Sequence, residues 1–326
     1  MNLDNSKPNV FVTRPDFPEV GINILKEKCL ITTWNNSSVI PKEELLKHVV
    51  GKQAIFCYSA NKIDAEVLEA AGPYLKVIGT FSVGCDHINL KECQKRGIRV
   101  GYTPDVLTDA TAELTMALLL ATTRRLIEAN KQVYTGGWSS WSPKWMCGPG
   151  LKDSVIGIFG FGRIGQEVAK RCVPFKPKQI LYTSRTEKEV AEEIGAKYVE
   201  FKVLVTSSDI VIACCPLNDE TRNIFNKNVF TNMKKSVVFI NSSRGGVVDQ
   251  EDLYNALKNG NIYAAGLDVT TPEPLQLDDP ILTLPNIVIS PHIGSANIAT
   301  RNDMSIVTAK NIVLGLQGQE MISEVK

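Results

Sequence analysis

The stretch that most restricts what this chain can fold into is Val155-Ile156-Gly157-Ile158-Phe159 followed at once by Gly160-Phe161-Gly162-Arg163-Ile164-Gly165. An apolar run of strand length meets a glycine-rich turn, and Gln166-Glu167-Val168-Ala169-Lys170-Arg171 continues as a helix. Each glycine has a separate steric duty in such a junction. Gly160 makes the tight turn, Gly162 lets a pyrophosphate approach the backbone, and Gly165 lets the helix lie close on its strand. The helix start then offers N–H groups and partial positive charge to phosphates. Glycines at this spacing can also be a plain turn, but the strand before and the helix after supply the context that a nucleotide site needs.

Strand-like runs alternate with helical ones along the rest of the chain. Before the glycine turn they are Val10–Thr13, Ile31–Trp34, Ala54–Tyr58, Lys76–Thr80 and Ile98–Val100, separated by helical stretches at 18–28, 41–49, 64–71 and 89–96. After it come Gln179–Thr183, Lys197–Phe201, Asp209–Cys214, Val237–Ile240, Ala264–Val269 and Ile287–Ser290, with helices near 187–195, 226–233 and 249–259. That alternation predicts parallel sheets covered on both faces. The expected fold is therefore α/β, with two doubly wound parallel-sheet domains: a Rossmann cofactor domain over 106–292 inserted in a flavodoxin-like substrate domain formed by 1–105 and 293–326.

One long helix is expected from Thr108, capped by Thr108 or Asp109, to about Tyr134, with Ala110, Leu114, Ala117, Leu118 and Ala121 on its apolar stripe. A final helix near Asn297–Gly315, with Ile306, Ala309, Ile312 and Val313 on its apolar face, is expected to return to the first domain. Residues 134–150 hold three of the four tryptophans amid Pro and Gly, which predicts an irregular arm. From composition alone that arm either folds over its own domain or reaches a second subunit.

With 326 residues, 44% of them apolar, the chain can fill two sizeable cores. Its 36 basic and 35 acidic residues leave a net charge of +1 with no basic block, so no nucleic-acid surface is expected. Met1–Lys7 lacks the apolar core of a secretory signal, and runs such as Met116–Ala121 are too short to cross a bilayer. The last residues, Ser323–Lys326, carry no peroxisomal or retention address, and a cytoplasmic protein without a membrane partner is expected. The eight cysteines show no C-x-x-C pair, which predicts buried reduced thiols rather than disulfides or a metal site.

Ligands in doubly wound sheets lie beyond the carboxyl ends of the strands. Three ionisable residues follow late strands: Arg244 after Val237–Ile240, Glu273 after Ala264–Val269, and His292 after Ile287–Ser290. Singly, each reads as a solvated arginine, a rigid Pro-Glu-Pro turn and a structural histidine. Together they make a set suited to reducing a carbonyl beside a carboxylate. A guanidinium grips the carboxylate and polarises the carbonyl, an imidazolium protonates its oxygen, and a carboxylate orients the ring and favours its charged form. Of the three histidines, His48 falls in a surface helix and His87 in a loop after Ser82-Val83-Gly84-Cys85-Asp86, so His292 is the candidate proton donor.

These segments resemble the D-2-hydroxyacid dehydrogenases. The resemblance is carried by Gly160–Gly165, Asn241-x-x-Arg244-Gly245-x-Val247-Val248-Asp249, Gly266-Leu267-Asp268-Val269-x-x-x-Glu273-Pro274 and Pro291-His292-Ile293-Gly294, in order from about residue 10 to the end. Gly101–Asp109 and Gly136–Gly148 bring it closest to the branch that reduces glyoxylate and hydroxypyruvate. What the resemblance implies is a homodimer acting on a small 2-keto or 2-hydroxy acid, with Arg244, Glu273 and His292 as its catalytic triad. Val83 and Gly84 would bind the substrate carboxylate through their backbone, beside Asp268 and Ser295, and Trp141 of the arm would line the partner's site. Pro216, Ser242, Asp268 and Gly294 would line the cofactor along with the glycine turn. Two positions depart from the wider family: His87 stands where Asn is usual, and Lys176-Pro177 replaces a glycine turn. The alternatives are a phosphoglycerate-type dehydrogenase, which would want an acid near 184 and an additional regulatory domain, and a dinucleotide-sensing scaffold of the corepressor kind.

An acid at the end of the second strand of the cofactor sheet would select NAD by bonding the ribose 2′-OH. Here the sequence is Thr183-Ser184-Arg185-Thr186, whose hydroxyls and guanidinium suit a 2′-phosphate, so NADP(H) is preferred and NAD(H) remains possible.

Overall fold

The computed structural model describes residues 7–325, so the expectations for the stretch before Lys7 and for Lys326 lie outside the described residues. The chain begins β1 (Asn9–Val12), α1 (Glu19–Lys28), β2 (Leu30–Thr33), α2 (Lys42–His48), β3 (Ala54–Cys57), α3 (Ala65–Ala71), β4 (Val77–Thr80), α4 (Leu90–Lys95) and β5 (Arg99–Gly101). It continues with α5 (Thr108–Thr123), α6 (Leu126–Thr135), β6 (Val155–Phe159), α7 (Arg163–Cys172), β7 (Gln179–Thr183), α8 (Val190–Ile194), β8 (Ala196–Tyr198) and α9 (Phe201–Ser207). It closes with β9 (Ile210–Ala213), α10 (Lys227–Asn232), β10 (Val238–Asn241), α11 (Gln250–Lys258), β11 (Ala264–Leu267), β12 (Ile287–Ile289) and α12 (Ile298–Leu316). These form two compact α/β units, one holding the residues up to Leu107 together with those from Ala296 onward, the other Thr108–Ser295.

The first unit is a five-stranded parallel sheet in the order β2-β1-β3-β4-β5. Ala54–Cys57 and Val77–Thr80 are buried at every position, as expected of strands covered on both faces. Helix α12 completes this unit, packing on α1, β3, β4 and β5. Close approach requires small residues: a Cβ at Gly21 would lie 2.2 Å from Ser305 Oγ, and one at Gly79 would lie 2.6 Å from Ile312. The face of α12 differs from the one the apolar pattern predicts. Its buried side is Met304, Ser305, Thr308, Ala309, Asn311, Ile312 and Gly315, whereas Ile306 and Val313 are only half-buried. Small and polar residues win there because their hydrogen bonds are met inside. Ser305 donates to Pro18 O (2.8 Å), and Asn311 donates to Tyr102 O (3.0 Å) while accepting from Ser323 N (3.1 Å).

The second unit is a seven-stranded parallel sheet in the order β12-β11-β10-β9-β6-β7-β8. Chain order runs outward from β6 to β8 and then jumps to β9 on the other side of β6. The switch point therefore falls at the carboxyl ends of β6 and β9, where a ligand crevice is expected. Four sequence expectations are corrected within this unit. The long helix is two helices, broken at Arg125, which takes a left-handed φ of 52° and forks onto Glu128. On α5 the buried face is Ala110, Thr111, Ala112, Thr115, Met116, Leu118, Leu119, Thr122 and Thr123, and Ala117 is exposed. Thr108 is its first helical residue rather than its cap, and Asp109 pairs with Arg171 instead (2.5 Å). Finally, β8 stops at Tyr198, and Phe201 opens α9, whose Phe201, Leu204 and Val205 repeat at helical spacing against Phe159 and Phe225.

All eight cysteines are unbridged; contrary to the uniform burial expected, Cys147 is exposed and Cys85 and Cys214 are partly so. Among the described residues no helix is long and apolar enough to cross a membrane, and no cluster of three or more His, Cys, Asp or Glu side chains could hold a metal.

Candidate active site

The glycine turn sits at the switch point of the second unit. Gly160 has φ +96°, and a Cβ there would lie 2.6 Å from Cys215 N, so any other residue would meet both backbone strain and the adjoining strand end. A Cβ on Gly165 would lie 2.1 Å from Gly160 O, which shows how tightly the start of α7 is pressed on the turn. Gly162 is different: a Cβ there would meet nothing within 4 Å. The space over Gly162 is open at the head of α7, and no side chain caps that helix. A phosphate fits such a place, since it supplies the acceptors and the negative charge that the helix start lacks.

Phe161 anchors the turn from below. It is fully buried and stacks on Tyr182 with ring centroids 4.1 Å apart. Its carbonyl accepts from Gln166 Nε2 (3.0 Å), while Arg163 is exposed and Ile164 half-buried.

At the end of β7, Ser184 donates to Thr186 O (2.7 Å), and Arg185 and Thr186 are exposed. Lys188, which the sequence reading passed over, brings Nζ to Thr186 Oγ1 (2.9 Å) and adds a second cation to this corner. Pro216 follows β9 at the surface of the crevice, its carbonyl accepting from Thr221 (2.7 Å). Ser242 is buried. Thr115 Oγ1 gives its hydrogen to Thr111 O, so the Ser242 hydroxyl is the donor in their 2.7 Å contact. That leaves the Ser242 backbone rather than its side chain to meet a ligand.

Arg244, Glu273 and His292 lie on three loops after β10, β11 and β12, and each loop is locked by a buried or well-bonded polar group. Asn241 is completely buried, accepts from Ser243 N (3.0 Å) and Oγ (2.8 Å), and donates to Arg244 O (2.9 Å). This closes the turn that presents Arg244. The next residue must be glycine, since a Cβ on Gly245 would lie 1.9 Å from Thr270 O. Glu273 sits between two cis X–Pro bonds, Thr271–Pro272 and Glu273–Pro274. Its Oε1 accepts from Thr270 N (3.0 Å), and Gln250 Oε1 accepts from Thr271 N (2.9 Å). His292 takes a left-handed φ of 52°. Asp268, 1% exposed, holds that loop by accepting from Ser290 Oγ (2.6 Å), Ile293 N (2.9 Å) and Gly294 N (2.8 Å), and its own carbonyl accepts from His292 N (2.8 Å). Burial raises the Asp268 carboxyl, and these donors oppose but do not cancel that rise.

His292 Nδ1 and Glu273 Oε2 are 2.8 Å apart. Burial pushes the Glu273 carboxyl up, but His292, the Thr270 N–H and the charge of Arg244 outweigh it and leave Glu273 below the ordinary glutamate value of 4.5. An ionised carboxylate only accepts, so the Nδ1 proton belongs to the imidazole and Nε2 remains to exchange a proton elsewhere. Cation, carboxylate and imidazole thus share one electrostatic neighbourhood at the strand ends, with Gly294 buried and Ser295 half-buried just beyond.

In the first unit, Val83 and Gly84 follow β4. Val83 is 37% exposed, and among the described residues neither has its N–H paired with an acceptor of the chain. In the arm, Trp141 is 81% exposed and Trp138 57%, so these indoles do not form a small core over their own unit.

The locking residues Asn241, Asp268 and Gln250 carry the geometry that sequence reading could not supply. Asn241 and Asp268 fall inside recognisable motifs. Gln250 lies at the head of α11, 21 residues before Thr271, and nothing near Glu273 in sequence points to it.

Comparison with known proteins agrees with this architecture. The family model for the D-isomer specific 2-hydroxyacid dehydrogenase NAD binding domain matches residues 116–294. The chain is 51% identical over 320 residues to mouse glyoxylate reductase/hydroxypyruvate reductase, covering 97% of each. It is 44% identical to the glyoxylate reductase of Thermofilum pendens, covering 96% of this chain and 93% of the relative. A solved NADPH-dependent glyoxylate/hydroxypyruvate reductase from Sinorhizobium meliloti, in complex with NADP and malonate, superposes with a TM-score of 0.84 at 29% identity, covering 98% of this chain and 97% of that one.

Proposed function

Because this chain belongs to the D-isomer specific 2-hydroxyacid dehydrogenases, we propose that it reduces glyoxylate and hydroxypyruvate to glycolate and D-glycerate with NADPH. The observation that carries this reading is the His292–Glu273 pair, 2.8 Å apart at the same strand-end rim as the glycine turn.

The nicotinamide cofactor supplies the hydride. Gly160, Phe161, Gly162, Arg163, Ile164 and Gly165 would hold its pyrophosphate, and Gly162 leaves room for it. Ser184, Arg185 and Thr186 bind the 2′-phosphate, helped by Lys188. Pro216, Ser242, Asp268 and Gly294 line the remainder.

Arg244 grips the substrate carboxylate and draws electron density from the C2 carbonyl. Backbone N–H groups at Val83 and Gly84 receive the same carboxylate, with Asp268 and Ser295 beside the substrate. His292 gives the proton on Nε2 to the carbonyl oxygen as C2 is reduced, and Glu273 steadies the imidazolium through Nδ1. Residues 106–292 serve as the cofactor domain, while 1–105 and 293–326 serve as the substrate domain. The arm over 134–150 joins two copies in a homodimer, placing Trp141 at the partner's site. This assembly gives the exposed indole a cover that its own unit lacks. A cytoplasmic setting matches the unbridged cysteines.

The test is loss of NADPH absorbance on adding hydroxypyruvate, glyoxylate or 3-phosphohydroxypyruvate, repeated with NADH. Turnover of the first two with NADPH is expected. Activity confined to the phosphorylated acid would shift the assignment to a phosphoglycerate-type enzyme, and no activity with any would leave a dinucleotide-sensing scaffold.

A further inference from the structure

A polar chain runs beneath the Val83–Gly84 loop. His87 Nε2 lies 2.9 Å from Thr80 Oγ1, Thr80 Oγ1 lies 2.9 Å from Ser82 Oγ, and Ser82 Oγ donates to Gly84 O (2.7 Å). The last acceptor fixes the direction of all three bonds. A carbonyl has no proton, so Ser82 spends its one hydrogen on Gly84, and the Ser82 oxygen must accept from Thr80. Thr80 has then spent its hydrogen too, so its oxygen must accept from His87 Nε2–H. Cys57 also lies against Thr80, but burial pushes its thiol up to about 12, so it stays neutral and is a weak rival acceptor.

We propose that His87, Thr80 and Ser82 form a positioning relay that sets the backbone at Val83 and Gly84 for the substrate carboxylate. This rests on the carboxylate-binding role assigned to those two residues above. Gly84 is the loop's freest residue, and pinning its carbonyl removes the rotation that a glycine otherwise keeps. The anchors on either side are rigid. Ser82 O accepts from Thr103 N (3.0 Å), and His87 O accepts from Ile63 N (2.8 Å). Between them, among the described residues, the Val83 and Gly84 N–H groups have no acceptor within the chain. The relay thus orders an acceptor-seeking stretch before substrate arrives, so less freedom is lost on binding.

The test is steady-state kinetics on Ser82→Ala, His87→Phe, His87→Gln and the Ser82→Ala/His87→Phe double variant. Ser82→Ala should raise KM for the keto acid about tenfold, and His87→Phe about threefold, with KM for NADPH unchanged. Glutamine can place an amide N–H near the position of Nε2, so His87→Gln should restore a near-native KM. Because His87 acts through Ser82, the double variant should be no worse than Ser82→Ala alone. Independent multiplication of the two effects, or a native KM in Ser82→Ala, would overturn the relay, and the latter result does not depend on His87→Phe folding. If the unaltered enzyme turned over no 2-keto acid, the functional reading would fail and the relay would be judged by hydrogen exchange. Faster exchange at Val83 and Gly84 in Ser82→Ala would uphold it, and unchanged exchange would sink it.

Discussion

The two units share a scaffold of parallel strands wound with helices, yet their strand ends are furnished very differently. After β10, β11 and β12, the larger unit sets out ionisable side chains, each on a loop fixed by a buried carboxamide, a buried carboxylate or a helix-borne glutamine. After β4, the smaller unit sets out backbone N–H groups over a line of hydroxyls ending in an imidazole. The architecture provides equivalent rims, and chemistry depends on what the loops add to them. Loss of the larger unit's ionisable side chains should therefore cost turnover, and damage to the smaller unit's rim should cost affinity for the substrate.

The sharpest break of that contrast is His292→Ala, expected to lower kcat by about 10³-fold while NADPH affinity by calorimetry stays within about twofold. A comparable fall in cofactor affinity would mean that the ring supports the nucleotide and not the proton transfer. Next is Gly160→Ala, where φ +96° and the 2.6 Å approach to Cys215 combine. It should destabilise the fold by about 2 kcal/mol or more in urea titrations and abolish NADPH binding. Glu273→Gln should lower kcat by about 10²-fold.

Glu273 also has a pH signature. Its carboxyl is held below 4.5 in the folded chain, so its contribution to stability is fully present above the unfolded value and is lost as pH falls through the folded value. The stability gap between the unaltered chain and Glu273→Gln should shrink as pH falls below about 4.5. A gap that stays constant through that acid range would assign it to another group. A smaller effect is expected at the cofactor corner. Arg185→Ala should weaken NADPH about tenfold and NADH less than twofold, and equal weakening would remove Arg185 from the 2′-phosphate.

Much of this was legible in the sequence because it depends on local pattern. Alternating strands and helices, the glycine turn and the residues after late strands all lie within a few positions of their own signals. The break at Arg125 was not legible, because Thr122-Thr123-Arg124-Arg125 carries no Gly or Pro and the left-handed residue is supported by a fork to Glu128. The buried face of α12 was misread because Ser305, Thr308 and Asn311 are polar; Ser305 and Asn311 are satisfied by partners far along the chain, and Thr308 by the Met304 carbonyl one turn back. Lys176 was equally hidden: it takes a left-handed φ of 56° although its side chain gives no sign of a turn residue.

The return of α12 to the smaller unit has a consequence for how the protein is made. Thr108–Ser295 is contiguous and can close its seven-stranded sheet as soon as it clears the ribosome. The smaller unit starts first but finishes last. Until α12 is synthesised, the surfaces at Gly21 and Gly79 that it will cover stay bare, leaving the nascent stretch before Leu107 the part most in need of chaperone protection.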